Sequence, residues 1–258
     1  MTGATAAAAR SLAVLFLGGA AFWQPCAGAA AGEPAAQKRP PTRVLVITGG
    51  HSHELSFYKL FEGQEDWQVT VDGHPTAFRG DLRGRYDVVV LYDMPATMEE
   101  ARRARLKQFA EAGGKGVVAL HHALCAHPDW PWYYEELLGG GCVFTERPSA
   151  PVKSTYHHDE TLRLKVAEAA VGHPVVAGLP GEFTIVDETY KTLWMAASNR
   201  ALLTTDHPKA DGLVAWLPSY AKARVAVIQL GHDHLAHLDG NYQRLVRNAI
   251  RWAGEKPR

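Results

Sequence analysis

The stretch Gly113-Gly114-Lys115-Gly116-Val117-Val118-Ala119-Leu120-His121-His122-Ala123 decides how the chain is to be read. Val117 to Leu120 is a short unbroken apolar run bounded by glycines and histidines, as expected of a strand buried on both faces. The segment before it, 98–112, reads as a helix that stops at Gly113-Gly114. A helix feeding such a strand is one unit of a parallel sheet covered on both sides. His121 and His122 then stand where the chain leaves the carboxyl end of the strand, which is where open parallel sheets bind ligands.

Outward from that unit the same alternation continues. Strands are predicted over 43–48, 67–71, 87–92, 116–121 and 224–230, and helices over 54–62, 98–112, 132–138 and 242–253. Residues 152–216 differ: strand-like pieces at 161–166, 183–186, 201–205 and 212–216 suggest an antiparallel extension or insertion. No internal repeat is present. The expectation is one α/β domain over 43–258, three-layered, with a mostly parallel central sheet and a β-rich extension.

The first 29 residues read as a signal peptide: Arg10 supplies the charge, 11–23 the apolar core and Ala27-Gly28-Ala29 the cleavage site. The apolar run is too short for a stable membrane span. Residues 30–42, rich in Ala and Pro, read as a linker. The mature chain is thus expected in the periplasm or outside the cell, as a soluble form; Trp23-Gln24-Pro25 matches poorly what should precede a lipoprotein cysteine at Cys26. Cys125 and Cys142 remain, either as a disulfide that an oxidising compartment permits or as two buried thiols. With 27 Lys+Arg against 27 Asp+Glu, no basic surface is set up for nucleic acid.

Histidine is the outlier, with 13 in the chain, all beyond position 50. His51 and His53 follow the first strand, His121 and His122 the strand at 116–121, and His232 and His234 the strand at 224–230. One pair alone could cap a loop; three pairs at strand ends should converge on one pocket. Imidazoles in a cleft can move protons or bind a divalent metal. Neither G-x-S-x-G nor a glycine-flanked cysteine occurs at the elbow, so a serine or cysteine nucleophile is not expected. Asp187-Glu188-Thr189-Tyr190, placed after the strand at 183–186, offers carboxylates that could orient a histidine or bind hydroxyls, or else a solvated turn. Tyr156-His157-His158-Asp159 reads as a surface loop, and Trp130-Pro131-Trp132-Tyr133-Tyr134 as a sugar platform or core packing.

Taken in order, several pieces resemble the trehalose-utilisation, ThuA-like family: Thr48-Gly49-Gly50 with His53-Glu54; Ala119-Leu120-His121-His122-Ala123; Trp130-Pro131-Trp132-Tyr133 with Leu138-Gly139-Gly140; Gly172-His173-Pro174-Val175 with Gly178-Leu179; Asp187-Glu188-Thr189-Tyr190; and Val214-Ala215-Trp216 leading to Tyr220 and Leu230-Gly231-His232. The resemblance implies a flavodoxin-like, glutamine amidotransferase-like fold without the amidotransferase cysteine. It also implies a role in sugar metabolism, with disaccharides or keto-sugar derivatives as substrates. Two departures stand out: alanines at Ala221 and Ala223 where the family often has glycines, and no histidine before Pro148.

The resulting expectation is a carbohydrate-active hydrolase or lyase in which His121, His232 and Glu188 carry acid-base chemistry. His53, His122, Asp187, Trp132, Tyr190 and His234 are expected to bind substrate. Should a divalent metal take part, the candidates are His53, His121, His122 and His232. The competing expectation is a non-catalytic sugar-binding or accessory module, which would not require histidines at several strand ends.

Overall fold

The computed structural model describes residues 40–146 and 150–255. The expected signal peptide, the linker up to residue 39, and Arg147 and Pro148 lie outside them. In chain order the first half contains β1 (Thr42–Gly49), a 3-10 turn (Leu55–Leu60), β2 (Trp67–Gly73), β3 (Val88–Asp93), α1 (Glu100–Ala110), β4 (Gly116–Leu120), a second 3-10 turn (His121–Cys125), a π-helix (Trp132–Leu137) and β5 (Gly140–Gly141). The second half contains β6 (Thr155–Val166), β7 (Glu182–Lys191), β8 (Trp194–Met195), β9 (Arg200–Thr205), β10 (Leu213–Leu217), β11 (Arg224–Ile228), α2 (His234–His237) and α3 (Gly240–Gly254).

Nine strands form one sheet in the order β2-β1-β3-β4-β11-β10-β9-β6-β7. The first five run parallel and the remaining pairs antiparallel, which bears out the parallel core with a β-rich extension. Successive side chains on a strand face opposite ways. Val44, Val46, Val88, Val90, Val118 and Leu120 therefore pack with Leu245, Val246, Ala249 and Ile250 of α3, while Leu45, Ile47, Val89, Val117 and Ala119 pack with Leu106 and Phe109 of α1 on the other face. Two apolar layers follow, one on each face of the same apolar strands. Gly116 lies where α3 crosses the sheet: a Cβ there would collide with the carbonyl of Ala253. The register Val44↔Val88, Val88↔Gly116 and Gly116↔Arg224 aligns the parallel strands, so the ends of β1, β3, β4 and β11 come out on one side.

Several boundaries differ from expectation for local reasons. The predicted helix at 54–62 is a 3-10 turn, whose three-residue period matches its two buried anchors, Phe57 and Leu60. The predicted helix at 132–138 is a π-helix over Trp132–Leu137. The predicted strands at 161–166 and 183–186 are the apolar parts of a longer hairpin, β6 with β7. Tyr156-His157-His158-Asp159 is thus strand and not surface loop, interrupted by a bulge between His157 and Glu160 where Asp159 takes a φ of 55°. Asp187 to Tyr190 lie within β7 and are all buried, which removes the solvated-turn reading. Cys125 and Cys142 are joined by a disulfide. Among the described residues no helix is long and apolar enough to cross a membrane.

A candidate active site at the ends of β4, β7 and β11

His121 is the first residue after β4 and has a φ of 48°, a left-handed conformation uncommon outside glycine and a pointer to function when a site holds it. Its Nδ1 lies 3.0 Å from the carbonyl oxygen of Gln229. A carbonyl only accepts, so Nδ1 carries the proton and Nε2 presents its lone pair. That Nε2 is 3.2 Å from the Tyr190 hydroxyl, 3.2 Å from His232 Nδ1 and 3.6 Å from Glu188 Oε1. Burial drives the pKa of His121 well below its ordinary value and that of the Tyr190 hydroxyl well above. At neutral pH the pair is a neutral imidazole base facing a neutral hydroxyl donor.

Glu188 is the hub of this cluster. Its Oε2 is 3.4 Å from His232 Nδ1 and 2.8 Å from Nδ1 of His158, a residue that the β6 bulge places opposite β7. Asp187, next to it, plays a different part. Its Oδ2 accepts from the Gly231 amide at 2.7 Å, and its Oδ1 from the amides of His232 and Glu188 at 3.0 and 2.8 Å. Burial raises its pKa to about 7 against those three donors. Both of its oxygens are spent on backbone, so Asp187 positions the His232 loop and offers little to a ligand. Gly231 suits that loop: its φ is 120°, and a Cβ would collide with the Tyr242 hydroxyl.

Asp187→Asn turns one acceptor into a donor facing a backbone N–H. The variant is expected to fold with stability lower by about 1–3 kcal/mol. Its kcat should fall about 100-fold, because a reacting group displaced by about 1 Å costs that much. Steady-state kinetics beside a urea titration will separate the two effects.

The other expected residues flank the cluster. His122 is buried, and its Nε2 donates to the Tyr92 carbonyl at 3.0 Å; burial lowers its pKa to about 3. His53 Nε2 lies 2.9 Å from the Tyr58 hydroxyl, with its ring edge-on to Phe57 and Tyr92. Ring contacts make one continuous wall, His53 to Tyr92 at 5.7 Å, Tyr92 to His122 at 4.2 Å, His122 to His121 at 5.4 Å, His121 to His232 at 5.2 Å and His232 to His158 at 4.9 Å. His234 is exposed and pairs with Glu54, which also accepts from its backbone amide at 2.8 Å. Trp132, expected against substrate, instead packs in the core on the α1 side, with Trp130, Tyr220 and the Lys107 ammonium about its ring.

Of the four expected metal candidates, only His121 and His232 share a ligand-sized group, and the third member is Glu188: their ligand atoms all lie within 4.8 Å of one another. His53 and His122 do not belong to it, since Tyr58 and the Tyr92 carbonyl take their Nε2 atoms. Two imidazole nitrogens and a carboxylate suit zinc or another divalent transition metal.

Two participants were not expected. His158 was hidden by the bulge, although it sits two residues from the alternating part of β6. His237 is fully buried, with Nε2 3.0 Å from the Gly231 carbonyl and Nδ1 2.9 Å from Ser56 Oγ, so it ties the His232 loop to the first 3-10 turn. Its place three residues after His234, in the short helix α2 that follows the His232 loop, was the available signal.

Comparison with known proteins agrees with this architecture. A family model described as ThuA, trehalose utilisation, matches residues 43–253. A ThuA-like protein from Parabacteroides merdae ATCC 43184 is 21% identical, with 83% of this chain and 90% of that one covered and a TM-score of 0.70. One from Bacteroides uniformis ATCC 8492 is 20% identical, covering 86% and 95%, with a TM-score of 0.63. The β-galactosidase of Rahnella sp. R3 aligns over 84% of this chain and 32% of its own at 17% identity and a TM-score of 0.53, a likeness of fold alone. The search of curated proteins finds no match. The fold is that of the flavodoxin-like, glutamine amidotransferase-like proteins.

Proposed function

This chain belongs to the ThuA, trehalose-utilisation family, and from that premise we propose that it is an exported enzyme acting on a disaccharide or keto-sugar derivative by histidine and carboxylate acid-base chemistry. The observation that carries the reading is the convergence of His121 Nε2, His232 Nδ1, the Tyr190 hydroxyl and Glu188 at one point beyond the sheet. A neutral, buried imidazole whose Nε2 carries the lone pair is suited to removing a proton from carbon.

On a 3-keto disaccharide, His121 takes the proton from the carbon between the ketone and the glycosidic carbon. The Tyr190 hydroxyl stabilises the enolate oxygen as charge develops. The electron pair then forms a carbon–carbon double bond as the glycosidic C–O bond breaks, and the leaving oxygen takes a proton from the His232–Glu188 pair. Water adding across the double bond completes hydrolysis, or the unsaturated sugar leaves as the product of a lyase. Export is supported by the N-terminal pattern of residues 1–29 and by the Cys125–Cys142 disulfide, since such bonds persist in oxidising compartments.

A second reading rests on the ligand group of His121, His232 and Glu188. A divalent ion held there would stabilise the enolate oxygen as a Lewis acid. The test for both is a screen of the mature chain, purified without a histidine tag, against disaccharides and their 3-keto derivatives. Released monosaccharide or unsaturated sugar is expected with keto substrates. Full activity in chelator selects the metal-free version, and no turnover of any member of the panel overturns the enzymatic reading in favour of a sugar-binding module.

A further inference from the structure

A separate group of side chains meets at the β2 and β3 ends of the sheet. His74 follows β2, Asp93 is the last residue of β3, and His127 lies beyond the second 3-10 turn. His74 Nδ1 is 3.0 Å from Asp93 Oδ2, and the ligand-capable atoms of all three residues lie within 4.8 Å of one another. Asp93 is 0% exposed and His127 is 1% exposed. Yet Asp93 Oδ1 and His127 Nδ1 have no hydrogen-bond partner. A His74–Asp93 ion pair alone accounts for neither atom, and buried polar atoms are ordinarily paired.

A cation accounts for both. Burial lowers the pKa of His127 to about 3, so its ring is neutral and able to donate a lone pair. Burial likewise raises the pKa of Asp93, a cost to its charged form that a bound cation would offset. Two zinc bonds of about 2.1 Å at the tetrahedral angle set ligand atoms about 3.4 Å apart, so His74 Nδ1 and Asp93 Oδ2, at 3.0 Å, need part by only about 0.4 Å to share an ion. Ring contacts hold the imidazoles in place: His127 stands edge-on to Tyr133 at 4.9 Å and His74 edge-on to Phe78 at 5.5 Å. The nearby guanidinium of Arg103 is engaged by Asp129 at 2.6 Å, which balances its charge.

We propose that His74, Asp93 and His127 form a divalent-metal site of the zinc class, distinct from the His121 cluster, that clamps the segment after His121–Cys125 to the ends of β2 and β3. Two histidines and one buried carboxylate favour zinc over magnesium or calcium, which take oxygen ligands. His74, the least buried of the three, marks the way in.

The test uses the full mature chain, untagged and stripped by chelator, titrated with Zn2+ alone. In a His121→Asn/His232→Ala background one equivalent is expected to bind and to raise Tm. Adding Asp93→Asn or His127→Gln should weaken that binding by more than ~100-fold, since even an outer partner of a ligand is worth 10- to 100-fold. Because either variant could fail to fold, wild-type crystals soaked in Zn2+ give an independent readout, with an anomalous peak expected among the three side chains. No equivalent bound in the double variant, binding indifferent to Asp93→Asn, or an anomalous peak only at His121 and His232 would each overturn the site. Since none of these readouts is turnover, failure here leaves the acid-base reading of the other cluster untouched.

Discussion

His121→Asn is expected to lower kcat on a 3-keto disaccharide by about 1,000-fold or more, within the range that a positioned base contributes, while far-UV circular dichroism stays unchanged. Asparagine is the informative replacement because it tolerates the left-handed backbone that His121 adopts, with a φ of 48°. Alanine would mix loss of the base with backbone strain. The lowered pKa of His121 makes a further demand on the wild type. Its base form is lost only as pH falls through the folded-state value, which lies well below 6.5, so this group leaves kcat/KM undiminished across the range where a free histidine would titrate. A His121→Asn variant within tenfold of wild type would remove His121 from the mechanism.

Acidification below pH 6.5 is expected to destabilise the fold steeply. His53, His121, His122, His127 and His237 all have pKa values lowered by burial, and in the unfolded chain each returns to about 6.5. Below that pH the unfolded state binds more protons, so stability rises with pH and is lost as pH falls; above it these groups contribute no slope. For His122 and His127, whose folded values are about 3, the loss between pH 6.5 and 5 is on the order of 2 kcal/mol each. Asp187, raised to about 7, runs the opposite way and gains as it protonates, and so does Asp93. The five histidines outnumber those two carboxyls. The urea midpoint, measured in chelator, should drop between pH 6.5 and 4.5, and His127→Gln should make the slope shallower by about one proton. A midpoint that stays level over that interval would show that these imidazoles are not buried neutral.

The parallel half of the fold was legible because strands covered on both faces must be apolar throughout, and Val117 to Leu120 or Val88 to Leu91 has no other use. His121 and His232 were legible for a related reason, since parallel strands deliver whatever follows them to one side. Asp187 to Tyr190 resisted the same treatment. A buried polar run inside a strand carries no apolar period, so its extent appears only once Gly231, His232 and His121 are seen to satisfy it. His158 was concealed because the bulge at Asp159 shifts the register by which its face would be assigned. His74, Asp93 and His127 are far apart in the chain, and only the strand order β2-β1-β3-β4 makes them neighbours. Trp132 shows the limit in the other direction: aromatic content fits a sugar platform and a core equally, and packing alone decides.

Asp187 reaches the loop after β11 through the amides of Gly231 and His232, never through the imidazole itself. Location and chemical identity at position 232 are therefore specified by different atoms. A carboxylate, an amide or an ammonium installed there would occupy the same seat opposite His121, and the fold could exchange one reaction for another at this place without rebuilding the loop that presents it.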